Sequence, residues 1–209
     1  MATLFVATTL FVGCDTEEEK WLPEGQMTVP LSENAGDAVD LGLSVLWADR
    51  YVGADSPEER GDYFAWGETE PKDWGRKEDW KFYGVDYADI PILIHGTEHD
   101  AARMNWGGKW RLPTMGEVAE LKEKCTFESG PSGGVKVTGP NGNSVLFTLT
   151  SFRWYDNELV RPIDDCYLWH SRKGYFWGFS KSSSKWYCDS TTSSTHPEHG
   201  MCVRPVMDK

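Results

Sequence analysis

The chain has 209 residues, enough for one domain with a short tether and a substantial buried core. Its 11 Trp and 21 Gly point to a loop-rich fold packed by aromatic rings. Acidic residues outnumber basic ones 33 to 21 and the formal net charge is −12, so the clustered cations that neutralise nucleic-acid phosphates are missing. No apolar run reaches the roughly 18–20 residues needed to span a bilayer.

The first element is an address rather than a fold. Residues 1–13 form a short apolar stretch of the length of a secretory h-region. It ends Phe11-Val12-Gly13-Cys14, which resembles a bacterial lipobox, with Cys14 as the lipidated first residue of the mature protein. No basic segment precedes it, and Phe11 stands where Leu is usual; a buried N-terminal strand is the other reading. The acidic run Asp15-Thr-Glu-Glu-Glu19 resembles the surface-export signal of Bacteroidetes lipoproteins, although such a run is also an ordinary solvated face. Residues 15–38, polar and turn-rich at Pro23, Gly25, Pro30 and Gly36, read as an acidic tether.

Val39 to Ala48 alternates in part and predicts strands around a turn at Gly42, continued by Tyr51–Ala54. Asp62 to Gly67 reads as a further strand. Residues 69–96 are irregular, with Trp74, Trp80, Phe82, Tyr83 and Tyr87 scattered through them, and read as a long excursion pinned by aromatics. Glu98 to Asn105 predicts a short helix stopped by Gly107-Gly108. Thr114-Met-Gly-Glu117 has the pattern of a capping box, with Val118, Leu121 and Cys125 on one face of the helix that follows. Pro113 blocks extension of that helix backwards. Val135–Thr138 and Ser144–Leu149 read as a hairpin through Asn141-Gly142. Two short helices early and mainly antiparallel strands late make the class α+β.

Besides Cys14 there are Cys125, Cys166, Cys188 and Cys202, which allow three pairings that the sequence does not separate. Metal ligation involving His170, His196 and His199 is a rival use, but no C-x-x-C occurs and His196-x-x-His199 falls in a Pro/Gly loop, so no metal or other cofactor is assigned.

Several ordered words carry a family resemblance. Ala38-Val-Asp-Leu-Gly-Leu-Ser-Val-Leu-Trp-Ala48, Gly61-Asp-Tyr-Phe-Ala-Trp-Gly-Glu-Thr-Glu-Pro71, Asn105-Trp-Gly-Gly-Lys-Trp-Arg-Leu-Pro-Thr114, Val137-Thr-Gly-Pro-Asn-Gly-Asn143 and Val203-Arg-Pro-Val206 resemble a paralogous surface domain of Bacteroidetes and Fibrobacter. That domain is similar to the C-type-lectin-like fold of the formylglycine-generating-enzyme branch. The resemblance runs from about Val39 to Val206 and implies one such domain over 39–209. It further implies that the Trp110–Thr114 word leads into a helix beneath the sheet, and that the closing strand pairs near the N-terminal one. Trp110, Leu112 and Val203 are then core residues, and Arg111 and Arg204 framework hydrogen-bond donors.

The chain departs from the family between Cys166 and Cys202. A Tyr-Trp-Ser-Ser word becomes Leu168-Trp-His-Ser171, the following strand becomes Tyr175-Phe-Trp-Gly-Phe179, and Pro197 stands at an Arg position. Some relatives of the fold are targets of diversity-generating retroelements, which mutate adenines in a C-terminal variable region. Leu168, His170, Arg172, Tyr175, Tyr187, Asp189, His196 and His199 all belong to the set that a mutated Asn codon can yield; ordinary divergence explains them equally. Either way, the resemblance implies a variable or ligand-binding region at 166–202. Its expected contact residues are those eight with Trp186, on a face rich in Tyr, Trp, Ser, His and Arg like that of antibody paratopes. Trp169, Trp177 and Phe179 are assigned to the core, and Tyr175, Trp186 and Tyr187 to the surface.

The expected function is therefore that of a cell-surface, outer-membrane lipoprotein, held to the membrane only by its lipid anchor. Its partner would be a protein or glycan on another cell, host or phage. A fixed carbohydrate-binding lectin or adhesin is the alternative. Calcium-dependent sugar binding lacks its Glu-Pro-Asn word, and Trp154-Tyr-Asp-Asn157 matches only loosely. An oxidase of the formylglycine-generating type would need a reactive cysteine pair, whereas Cys188 and Cys202 are separated by a Ser/Thr loop with no general base near them in sequence, so no catalytic residue is assigned.

Overall fold

The structure is a computed structural model that describes residues 26–72, 76–150, 152–153, 159–160, 165–193 and 196–209. The signal, Cys14 and the acidic run behind it lie outside the described residues, as do Trp74 and Trp154–Asn157. The class is α+β, built from small antiparallel sheets and two helices. No helix among the described residues is long and apolar enough to cross a membrane.

Strand β1 (Ala38–Val39) and β2 (Val45–Ala48) are antiparallel, turning at Gly42, whose φ of 77° suits a residue without a Cβ. Tyr51–Ala54 does not extend the strand; the Ala54 amide closes a turn on the Tyr51 carbonyl. Asp62–Gly67 is not a strand either. It touches the closing segment through one bridge, Phe64 to Met201, because turns with positive φ at Gly61 and Gly67 bound it at both ends.

Helix α1 (Ala101–Trp106) starts on Asp100, a buried side chain that holds four backbone amides. One carboxylate oxygen accepts from Ala102 and Arg103 (2.9 and 3.2 Å), the other from Gly96 and Leu112 (2.6 and 2.9 Å). Asp100 is thus both a helix cap and a clamp joining the segments before and after the helix. Helix α2 (Met115–Lys124) has the expected capping box: Thr114 Oγ1 accepts from the Glu117 amide and Glu117 returns a bond to the Thr114 amide at 2.8 Å. Val118, Leu121 and the capping Cys125 are buried against the sheets.

Strand β3 (Thr126–Ser129), not expected from the sequence, pairs with β4 (Val135–Thr138), which pairs with β5 (Ser144–Phe147) through the expected turn. A short ribbon of β6 (Phe152–Arg153) and β7 (Leu159–Val160) follows. The largest sheet contains β8 (Asp165–Trp169), β9 (Tyr175–Ser182) and β10 (Lys185–Ser193) in antiparallel order β8-β9-β10. Strand β11 (Val206–Asp208) returns to β2, so the end of the chain closes the first sheet.

Residues 26–38 do not behave as a tether. The Met27 amide donates to the Gly96 carbonyl, Ser32 to Trp106, and Gly108 to Val29, each at 2.8 Å. The ordered domain therefore begins by residue 26 rather than at 39. Gly107 permits this: a Cβ there would run into the Pro30 carbonyl.

Two buried clusters form the core. One stacks Trp47, Phe147, Trp177 and Phe179 edge to face, with Trp47 and Trp177 centroids 5.5 Å apart. The other gathers Trp66, Trp106, Trp110, Trp169 and Val203. Arg111 makes a bidentate pair with Glu117 (2.6 and 3.0 Å) and reaches Asp208 at 2.6 Å, locking α2 to β11. Arg204 is completely buried. It donates to the Ala48 and Leu146 carbonyls at 3.1 and 2.7 Å, and its guanidinium lies 4.0 Å and 4.3 Å from the ring centroids of Tyr51 and Phe147.

Replacing Arg204 by Ala strands two carbonyls and opens a cavity between aromatic rings, so urea unfolding should show a loss of about 3 kcal/mol or more. Arg204→Lys should recover only part of it, because one ammonium cannot reproduce a planar fork spanning both carbonyls. A loss below about 1 kcal/mol for Arg204→Ala would show that the interaction is not a keystone.

Candidate functional site

Strand alternation decides the fate of the residues expected to face solvent. In β10 the pattern is strict: Trp186 and Cys188 point inward while Lys185, Tyr187 and Asp189 point out. Trp186, expected at the surface, is 6% exposed and donates its indole N–H to Ser129 Oγ of β3 at 3.1 Å. Tyr187 is 48% exposed, as expected. Asp189 is also exposed and, with Asp165, Tyr167, Phe176 and Thr192, lines a shallow depression of about 260 Å³ on the outer face of the sheet. Leu168 is not a contact residue: it is fully buried, opposite Trp177, and bridges to Cys202.

His170 is also buried. Its Nδ1 accepts from the Arg172 amide at 2.9 Å, and its carbonyl accepts from the Trp66 indole at 3.3 Å. The half-buried Tyr175 stacks on the His170 ring at 6.1 Å, and the Arg172 guanidinium lies 5.6 Å from the Tyr175 ring centroid. His170, Arg172 and Tyr175 thus brace the β8–β9 turn. Burial, and secondarily the charge of Arg172, push the His170 imidazole down to about 3.

Cys166, Phe179 and Cys188 form one row across the sheet. Two interstrand spacings separate the Cα atoms of Cys166 and Cys188, about 9–10 Å, beyond the roughly 7 Å limit for bridging Cα atoms. All four described cysteines are buried free thiols. Burial pushes Cys125 up to about 11 and Cys188 up to about 12, and raises Cys166 and Cys202 as well. None of them is a poised nucleophile.

A larger concavity than this depression lies elsewhere among the described residues. A groove of about 510 Å³ forms where the irregular segment after residue 69 meets the loop His196–Glu198. Trp80, Phe82, Tyr83, Val85, Tyr87 and Ile90 supply its walls, with Lys77, His196 and Glu198 as polar groups. A single turn of 3-10 helix (Lys77–Asp79) leads into it. Trp80 donates its indole N–H to the Trp66 carbonyl at 3.1 Å and meets Phe82 edge to face at 5.5 Å. Buried Glu68 holds the base of the segment, accepting from Lys72 Nζ and the Lys81 amide at 2.6 and 2.7 Å. At its far end Lys173, from the β8–β9 turn, donates to the Tyr87 and Ile90 carbonyls at 2.5 and 2.7 Å, its ammonium 4.1 Å from the Tyr87 ring centroid.

A segment without regular structure is thereby held in one shape, yet Tyr83 and Tyr87 keep 48% and 59% of their surface exposed. Exposed rings on a fixed backbone, with a few polar groups beside them, suit a ligand with an apolar face. Of the nine expected contact residues, only His196 lines this groove; His199, one turn further, is 5% exposed and stacks on Phe152. The sequence pattern does not mark the groove aromatics as a site. The available signal was their density in a stretch with neither helical nor strand periodicity.

The unfolded imidazole titrates near 6.5, so His170 binds a proton in the unfolded chain well before it does in the folded one. Its contribution to stability is complete above about pH 6.5 and is lost as pH falls toward about 3. Between pH 7 and 5 the loss from this group is about 2 kcal/mol. His170→Asn keeps an acceptor for the Arg172 amide but cannot titrate. The stability difference between wild type and variant should therefore shrink by about that amount over this range in urea unfolding; a constant difference would contradict the assignment.

In comparisons with protein-family models, with curated proteins and with solved structures, no match was found.

Proposed function

We propose that this chain is a ligand-binding surface lipoprotein with a C-type-lectin-like scaffold, anchored to the outer membrane through Cys14 and recognising a protein or glycan on another cell, host or phage. The observation that carries this reading is the aromatic groove at residues 77–90, closed on one side by His196–Glu198. Exposed Tyr83 and Tyr87 offer rigid apolar area at small entropic cost, while Lys77, His196 and Glu198 orient polar groups of a ligand. The net charge of −12 argues against nucleic acid as partner. Protonated, buried cysteines favour binding over thiol catalysis.

Burial also favours a fixed surface over a retroelement-diversified one. Leu168, His170 and His199 are three of the eight positions in the adenine-reachable set, and each packs inside the domain. Random replacement there would change the core rather than a contact face. A fixed lectin or adhesin is accordingly the form of the proposal that the packing supports.

Glycan and protein arrays probed with the full chain should return hits that lose at least tenfold in affinity in a Tyr83→Ala/Tyr87→Ala double variant, about 1.4 kcal/mol or more. The same hits should survive Tyr187→Ala, which alters only the outer face of the large sheet. Hits that ignore the groove variant but vanish with Tyr187→Ala would move the binding face to the sheet.

A further inference from the structure

We propose that the turn His196-Pro197-Glu198-His199 is a site for a divalent transition metal of the zinc class. The backbone of the turn is fixed from several sides. The His199 amide donates to the His196 carbonyl at 3.1 Å, and the Pro197 carbonyl accepts from the Trp66 amide at 2.8 Å. Gly200 exchanges two hydrogen bonds with Arg153, at 2.9 and 3.0 Å. This conformation brings three side chains of different chemistry to one place. Potential ligand atoms of His196, Glu198 and His199 all lie within 4.8 Å of one another. The imidazoles are stacked 4.6 Å apart, and His196 Nδ1 is 3.0 Å from Glu198 Oε1.

Four N/O ligands arranged tetrahedrally around zinc at 2.0–2.2 Å stand about 3.3–3.6 Å from each other. The cluster thus needs to close by about an ångström, within the reach of side-chain torsions. The required turn of the stacked rings falls mainly to His196, the exposed member at 46%, while Glu198 and His199 are held at 12% and 5%. Two imidazoles and one carboxylate select zinc, nickel, cobalt or copper over calcium or magnesium, which prefer all-oxygen shells. Three protein ligands leave a coordination position for water or for an oxygen or nitrogen of a bound molecule. Because His196 and Glu198 also line the aromatic groove, an ion held by them stands at its wall. The metal site goes beyond the binding role of the groove and does not depend on it.

The test uses the full chain, metal-depleted and kept reduced, titrated with zinc chloride alone. One equivalent of zinc per chain is expected, with affinity lowered at least tenfold in both His196→Ala and Glu198→Gln, and no matching uptake of calcium. Both replaced side chains are at or near the surface, so circular dichroism should show unchanged folding. Cobalt(II) loading gives a second readout: visible bands of a nitrogen- and oxygen-ligated ion should appear without thiolate-to-cobalt charge transfer. Zinc uptake unchanged in both variants, a thiolate band, or no stoichiometric uptake would each overturn the proposal. Tyr83→Ala/Tyr87→Ala should leave zinc uptake intact, so failure of the groove as a binding site and failure of the metal site are told apart.

Discussion

A fully buried guanidinium holds the domain together. Among the described residues no carboxylate hydrogen-bonds Arg204; two carbonyls and two aromatic faces compensate its charge. Those partners come from the end of β2 with the segment that follows it and from the end of β5, so one side chain near the C-terminus organises two distant stretches. Desolvating a cation is costly, and it is tolerated only where the surrounding groups are already aimed at it. That requirement places the closing segment. Once Arg204 is seated, Val203 accepts from the Val52 amide, Cys202 bridges to Leu168, and Met201 pairs with Phe64.

The groove is a consequence of that seating. Fixing residues 197–206 puts His196–Glu198 beside Trp66, whose backbone carbonyl holds the Trp80 indole. Residues 92–94 then run along 171–173, and Lys173 clamps the last turn of the excursion. Regular elements supply almost none of the groove wall. A sheet face offers every second side chain, whereas an irregular segment held by buried polar contacts can turn several consecutive rings toward one cavity. Rigidity comes from the clamps of Glu68 and Lys173 rather than from a hydrogen-bond ladder.

Strand alternation and core packing divide the expected contact region. Tyr187 and Asp189 remain on an open face, Arg172 and Tyr175 brace a turn, and Leu168, His170, Trp186 and His199 are absorbed into packing. Residues that look unusual for a fold need not be its contact residues; replacement inside a core also produces unusual words, provided volume is kept.

Local elements are legible from the residues alone. The capping box at Thr114, the Asn141-Gly142 hairpin, the glycine stop after Trp106 and the α+β order all follow from interactions within a few residues, which no distant partner needs to complete. The alternation in β10 was legible too, and should have placed Trp186 inside once Tyr187 was placed outside. The remaining features arise only in the folded chain. The docking of residues 26–38 onto Gly107 and Gly108, the burial of His170, the shaping of the aromatic groove and the meeting of His196, Glu198 and His199 all depend on contacts between segments tens of residues apart, or on a turn held in place by them. Such contacts leave no periodic trace, because what selects them is the cost of leaving a buried polar group or a cavity unfilled, a quantity that exists only after the chain has folded.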